Sequence, residues 1–144
     1  MTQTMTKLTI VAPITGLVQP TTSDVAGFTI APDEGNAVAP VTGTVTEVDA
    51  EALRIVIVTR EGVQVTVALS QSRLQLGCQP CEALVRVGNY VKAGQVLAAI
   101  DLMTLQQLKK PIQVLTTIAS MSDSLEILKT NRDVKVDTPI ARLY

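Results

Sequence analysis

An all-β fold, an antiparallel β-sandwich or barrel-like sandwich with a duplicated half-motif and one or two short helices, is predicted by three features of this sequence. Hydrophobic residues make up 47% of it, yet the only aromatics are Phe28, Tyr90 and Tyr144. The core must therefore be built from Val, Ile, Leu and Ala, a mix in which the β-branched members favour pleated sheet. The segment "VAPITGLV" at 11 to 18 returns 27 residues on as "VAPVTGTV" at 38 to 45. Finally, "LRIVIVTREGVQVTVAL" (53 to 69) consists of two alternating runs around Arg60-Glu61-Gly62, the pattern of a β-hairpin.

Each copy of the repeat carries a proline suited to strand entry and a Thr-Gly pair that permits a sharp turn or bulge. Alternating β-branched residues follow. The hairpin comes next and is expected near the centre of the sheet. In its second run Val63, Val65, Val67 and Leu69 face one way and Gln64, Thr66 and Ala68 the other. A looser pair, "VGNYVKAGQVLAAI" (87 to 100) and "TNRDVKVDTPIARL" (130 to 143), shares Val-Lys, a turn and an apolar strand. The chain thus reads as two interleaved half-motifs. Helical signals are few. "DLMTLQQLKK" sets Leu102, Leu105 and Leu108 on one face behind an Asp cap, with Pro111 as its stop, and "SDSLEILKT" offers a second short turn capped by Ser122 or Asp123.

A length of 144 residues suits one domain, 1–144, with residues 1–7 expected to be flexible. The 12 basic and 13 acidic residues give a net charge of −1 and are scattered, so no basic stripe is available for nucleic acid. With neither a basic leader nor a run approaching the ~20 apolar residues of a membrane span, direct membrane insertion is not expected and the location is expected to be cytoplasmic.

Cys78 and Cys81 stand in "GCQPC". In a cytosolic chain that spacing reads as reduced, metal-linked or redox-active rather than as a structural disulfide. The pair follows a β-run instead of opening a helix, which disfavours thioredoxin-like chemistry. One chain also supplies only two of the four sulfurs of a structural zinc site. No metal and no cofactor is expected in a single chain, and a dimer linked through this pair stands as an alternative.

In order, the segments "VAPITGLV", "GFTIAP", "NAVAPVTGTVTEV", "EGVQVTVALSQSRLQL", "VGNYVKAGQVLAAIDLMTL" and "PIQVLTTIASMSD" resemble the glucose-class IIA component of the bacterial phosphoenolpyruvate-dependent sugar phosphotransferase system. The likeness runs from about Leu8 to Tyr144. It implies a compact β-sandwich that takes a phosphoryl group on one histidine from a small phosphocarrier protein and passes it to a IIB domain. A second histidine, on the neighbouring strand, positions that group. Carried onto this sequence, the phosphorylated position becomes Ala68, the second histidine Leu53 and the acidic position Ser72, and the chain contains no histidine at all. An imidazole nitrogen is nucleophilic near neutral pH and forms a labile phosphoryl bond; methyl and isobutyl groups do neither.

The expectation is a IIA-like module that cannot be phosphorylated at the family site. Its role would be to bind a protein linked to sugar transport: a transporter, a IIB-like domain, a regulator or a second copy of itself. One alternative is a phosphoryl carrier with a non-histidine acceptor, for which Thr66, Ser70, Ser72 or the cysteines are candidates. Another is a biotinyl or lipoyl carrier, which "APVTGTVTEV" and "VGNYVKAGQVLAAID" also resemble; here Lys92 and Lys135 match that family's unmodified turns.

Overall fold

A computed structural model describes residues 8–20, 26–49, 53–70, 81–107, 112–119, 125–128 and 132–143. Residues 1–7, Ser72, Cys78 and Pro111 lie outside that set. Among the described residues the strands are β1 (Leu8–Val11), β2 (Gly16–Pro20), β3 (Gly27–Pro32), β4 (Asn36–Val38), β5 (Gly43–Asp49), β6 (Arg54–Val58), β7 (Gln64–Leu69), β8 (Cys81–Ala83), β9 (Tyr90–Val91), β10 (Val96–Ile100), β11 (Val114–Ala119), β12 (Leu125–Ile127), β13 (Arg132–Val134) and β14 (Pro139–Leu143), and a helix, α1 (Leu102–Gln107), follows β10. They form an eight-stranded sheet, β13-β2-β3-β11-β7-β6-β5-β9, and two three-stranded sheets, β1-β14-β12 and β4-β10-β8. Every strand pair is antiparallel.

The repeats read from the sequence become a pseudo-two-fold axis between β7 and β11. Residues of the first repeat map onto the second 27 positions on, and 87–100 map onto 130–143. Several backbone bonds obey this mapping. Val11 N–H donates to the Pro40 carbonyl at 2.9 Å and Val38 N–H to the Pro13 carbonyl at 2.6 Å, so the two copies bind each other reciprocally. Ala12 N–H reaches Thr138 O at 2.7 Å as Ala39 N–H reaches Gln95 O at 2.8 Å. The repeat threonines do equivalent work: Val136 N–H donates to Thr15 Oγ1 at 2.9 Å and Ala93 N–H to Thr42 Oγ1 at 3.0 Å. Even the left-handed turn positions correspond, Gly94 at φ 92° and Asp137 at φ 70°.

The hairpin lies near the middle of the large sheet, as its pattern predicts. Thr59 N–H donates to Val63 O at 2.9 Å, Gly62 N–H to Thr59 O at 2.9 Å, and Val63 N–H to Thr59 Oγ1 at 3.1 Å. Gly62 closes the turn at φ 84°, a conformation that costs a side-chain-bearing residue its Cβ clearance. Along β7, Val65, Val67 and Leu69 are buried while Gln64 is exposed and Thr66 and Ala68 are half-buried. The inward residues join one aliphatic core with Ile10, Ile14, Ile30, Ile55, Ile57, Leu97 and Ile140, and Phe28 is its largest wholly buried side chain.

Asp101 caps α1 as expected. Its carboxylate accepts the Thr104 hydroxyl proton at 2.7 Å and the Thr104 backbone N–H at 3.1 Å. The hydroxyl bond, then the backbone bond, hold the Asp101 pKa below its ordinary value of 3.8. A carboxylate whose pKa is depressed by folding contributes stability above its unfolded value and loses it as pH falls through the folded one. Asp101→Asn is therefore expected to flatten the acid limb of a melting-temperature profile below pH ~4, leaving the neutral limb with the same shape.

Residues 125–127 correct one expectation. The segment is not a second helical turn but β12, with Leu125, Glu126 and Ile127 opposite Leu143, Arg142 and Ala141 of β14. Its proposed caps, Ser122 and Asp123, lie outside the described residues. A helix of one turn cannot repay its nucleation. The free edge of β14 offers a ladder at once, and Ile127 packs against the core from it.

Candidate functional site on the outer face of the large sheet

Strand register assembles this face row by row. In one row Thr29 of β3 stands opposite Leu115 of β11, and Leu115 opposite Ala68 of β7. Ile55 pairs with Val67, so one further step along the β6–β7 ladder brings Arg54 alongside Ala68. In the adjacent row Gly27, Thr117, Thr66, Val56 and Glu47 follow one another across five strands. A register shift between Val45 and Glu47 in β5 aims the Glu47 carboxylate at Arg54, and Arg54 Nε donates to Glu47 Oε2 at 3.1 Å. The centre of the face is thus neutral: the methyls of Ala68 and Leu115 and the hydroxyls of Thr66 and Thr117, with the Arg54–Glu47 ion pair and Asp49, opposite Arg54, at the edge.

The pseudo-two-fold passes through this point and relates Ala68 to Thr117 and Thr66 to Leu115. One of the two central positions carries a hydroxyl and the other a methyl. Neither is ionisable.

Leu53 lies elsewhere. It immediately precedes β6 with a left-handed φ of 48° and is wholly buried in the aliphatic core, whereas Ala68 is half-exposed. The side chain standing next to Ala68 on β6 is that of Arg54, a neighbour that sequence reasoning missed. Its signal was present in the hairpin, because counting outward from the Gly62 turn pairs 54 with 68.

The hydroxyls offer little acyl or phosphoryl chemistry. Ser70 Oγ accepts the Gln113 N–H at 2.9 Å, and the Ser70 N–H donates to Gln113 O at 2.8 Å, so Ser70 is a strand-end clamp. Thr66 stands two strands from Glu47, roughly 10 Å across the sheet, and that carboxylate is already engaged by Arg54. An alcohol without a base in reach is a weak nucleophile.

Cys81 opens β8 and is 5% exposed. It borders a separate cavity of about 290 Å³ with Glu82 and Asp101. Burial pushes its thiol up to about 11, so at neutral pH it is protonated and a poor nucleophile or metal ligand. Among the described residues no group of three or more His, Cys, Asp or Glu could hold a metal ion, and no helix is long and apolar enough to cross a membrane.

The fold and its central face define a duplicated β-sandwich module of the kind found in phosphotransferase IIA domains. This chain belongs to that family: the model for the phosphoenolpyruvate-dependent sugar phosphotransferase system, EIIA 1, matches residues 25–124. It is 36% identical over 76 residues to the PTS system glucose-specific EIICBA component of Streptococcus pneumoniae, a match covering 53% of this chain and 10% of that protein. The aligned part spans about a tenth of that relative's length. The fold is similar to that of glucose permease IIA from Mycoplasma capricolum, with a TM-score of 0.81 at 23% identity over 94% of each chain. That likeness is one of fold.

Proposed function

We propose that this chain is a IIA module of sugar transport that carries no phosphoryl group and acts by binding a protein through the outer face around Ala68. The observation that carries the reading is the chemistry of that position: a methyl group between Leu115 and Arg54, in a chain without histidine. A face whose centre is methyls and hydroxyls, with its charges Arg54, Glu47 and Asp49 at the rim, is inexpensive to desolvate at that centre, which suits contact with another protein. The partner classes are a transporter, a IIB-like domain, a regulator or a second copy, the module being one domain over 1–144 that works in the cytoplasm. It is not an enzyme in this reading.

The test is intact mass after incubation with phosphoenolpyruvate, enzyme I and the phosphocarrier from the same organism, beside a histidine-bearing IIA. The expected result is no gain in mass while the histidine-bearing control gains one phosphate. A gain in this chain that disappears on substituting Thr66, Ser70, Ser72, Cys78 or Cys81 would replace the reading with that of a carrier using a new acceptor.

A further inference from the structure

A second concavity lies at the β9 end of the large sheet, away from Ala68. Its volume is about 420 Å³, and its polar lining comes from Thr42 and Thr44 at the start of β5, Thr59, Arg60 and Glu61 at the hairpin turn, and Tyr90 of β9. The size lies within the range of small-molecule sites.

The duplication supplies an internal control for which of these residues the fold itself requires. Under the pseudo-two-fold, Thr42 and Gly43 correspond to Thr15 and Gly16; the framework is kept. Tyr90, Thr44 and Thr59 correspond instead to Asp133, Leu17 and Pro32. The same ladder is therefore built without an aromatic ring or these hydroxyls at the other end, whereas the turn that carries Arg60 and Glu61 leads into β7 and has no counterpart at 33–35, where the chain passes into β4 of another sheet. Tyr90 is 63% exposed and adds nothing to the core, so packing does not account for it.

We infer that this cavity is a binding site for a neutral, monosaccharide-sized polyol. The lining has one positive and one negative side chain, Arg60 and Glu61, and so no net preference for an anion or a cation. Arg60 offers donors and Glu61 acceptors. The hydroxyl oxygens of Thr42 and Thr59 already accept the backbone N–H groups of Ala93 and Val63, at 3.0 and 3.1 Å. Each is thereby fixed in place with its own proton left to donate. The exposed ring of Tyr90 supplies a flat apolar wall with a polar tip. A ring with a C–H face and a rim of hydroxyls, each both donor and acceptor, complements that set. A phosphate would meet Glu61, and an aliphatic ligand would strand the fixed hydroxyl protons.

This inference goes beyond the proposed function, and neither depends on the other. The test is a titration of the full chain, followed by amide proton–nitrogen spectra, with D-glucose, D-mannose, D-galactose and myo-inositol separately, and with inorganic phosphate. At least one polyol is expected to bind with millimolar affinity and to shift amides in 42–44, 59–62 and 90 while leaving 66–68 and 115–117 unmoved. Tyr90→Ala should weaken that binding roughly tenfold or more, about 1.4 kcal/mol, with the unfolding midpoint unchanged. Absence of shifts with all four polyols, or shifts that Tyr90→Ala leaves intact, would overturn the assignment. So would phosphate shifting the Arg60 region where no polyol does, which would make the cavity an anion site.

Discussion

Phe28→Ala is expected to cost about 3–5 kcal/mol of stability, a large part of the 5–15 kcal/mol typical of a domain. Phe28 is wholly buried in the aliphatic core and lies in β3 opposite Thr116 of β11. Among the described residues no other aromatic shares that interior, Tyr90 being exposed. The space a ring leaves among branched aliphatic side chains collapses poorly, since Val and Ile are stiff at χ1. Urea denaturation should show the midpoint falling with the slope unchanged, and Phe28→Leu should lose distinctly less. Equal losses for Leu and Ala would mean that something other than cavity volume sets the cost.

The same residues show what could be read from the sequence. Alternation in 63–69 was legible because period two has a single physical reading in a half-buried strand. The repeats at 11 and 38 were legible because each copy must solve the same backbone problem, and the reciprocal bonds of Val11 and Val38 are that solution. The order of the large sheet was less so. Nothing local announces that β11 is inserted between β3 and β7, since antiparallel pairing across so many residues is decided by tertiary packing. β12 was misread for a related reason: Leu125 and Ile127 fit a helix turn or a strand, and only the free edge of β14 decides.

The candidate site shows the same division. Ala68 was placed on the outer face by alternation, but Leu53 proved to be a core residue and Arg54 the cross-strand neighbour. Resemblance carries a residue number across but not its φ angle. The β9-end cavity was hidden altogether, because it joins Thr42, Arg60 and Tyr90 from three separate segments. Its one sequence signal lay where the repeats disagree, Tyr90 against Asp133.

Where the repeats agree, the constraint is steric, and Gly43→Ala is expected to be among the most damaging single changes in the chain. A Cβ at Gly43 would overlap the Val58 carbonyl oxygen and come within 2.8 Å of Ile57 Cγ2 and 2.9 Å of the Val58 carbonyl carbon. The first and last of these are backbone of β6, which can yield only by moving the strand. Gly16, its mate, would overlap the Ala31 carbonyl oxygen in the same way, so the Thr-Gly of both repeats marks a close approach of two backbones. A loss of about 3 kcal/mol or more is expected for Gly43→Ala, read as a fall in urea midpoint or as a failure to fold. Gly62→Ala serves as the contrast, since nothing lies within 4 Å of its would-be Cβ and only the left-handed backbone is strained, at about 1–2 kcal/mol. If Gly62→Ala proved the costlier of the two, the close approach of β5 and β6 would be wrong, and with it the framework that holds Thr42 and Thr44 against the hairpin turn. If the order holds, the shared glycine of the repeat is explained by backbone clearance, beside the shared threonine that accepts a backbone N–H, and the divergent positions are left free for function.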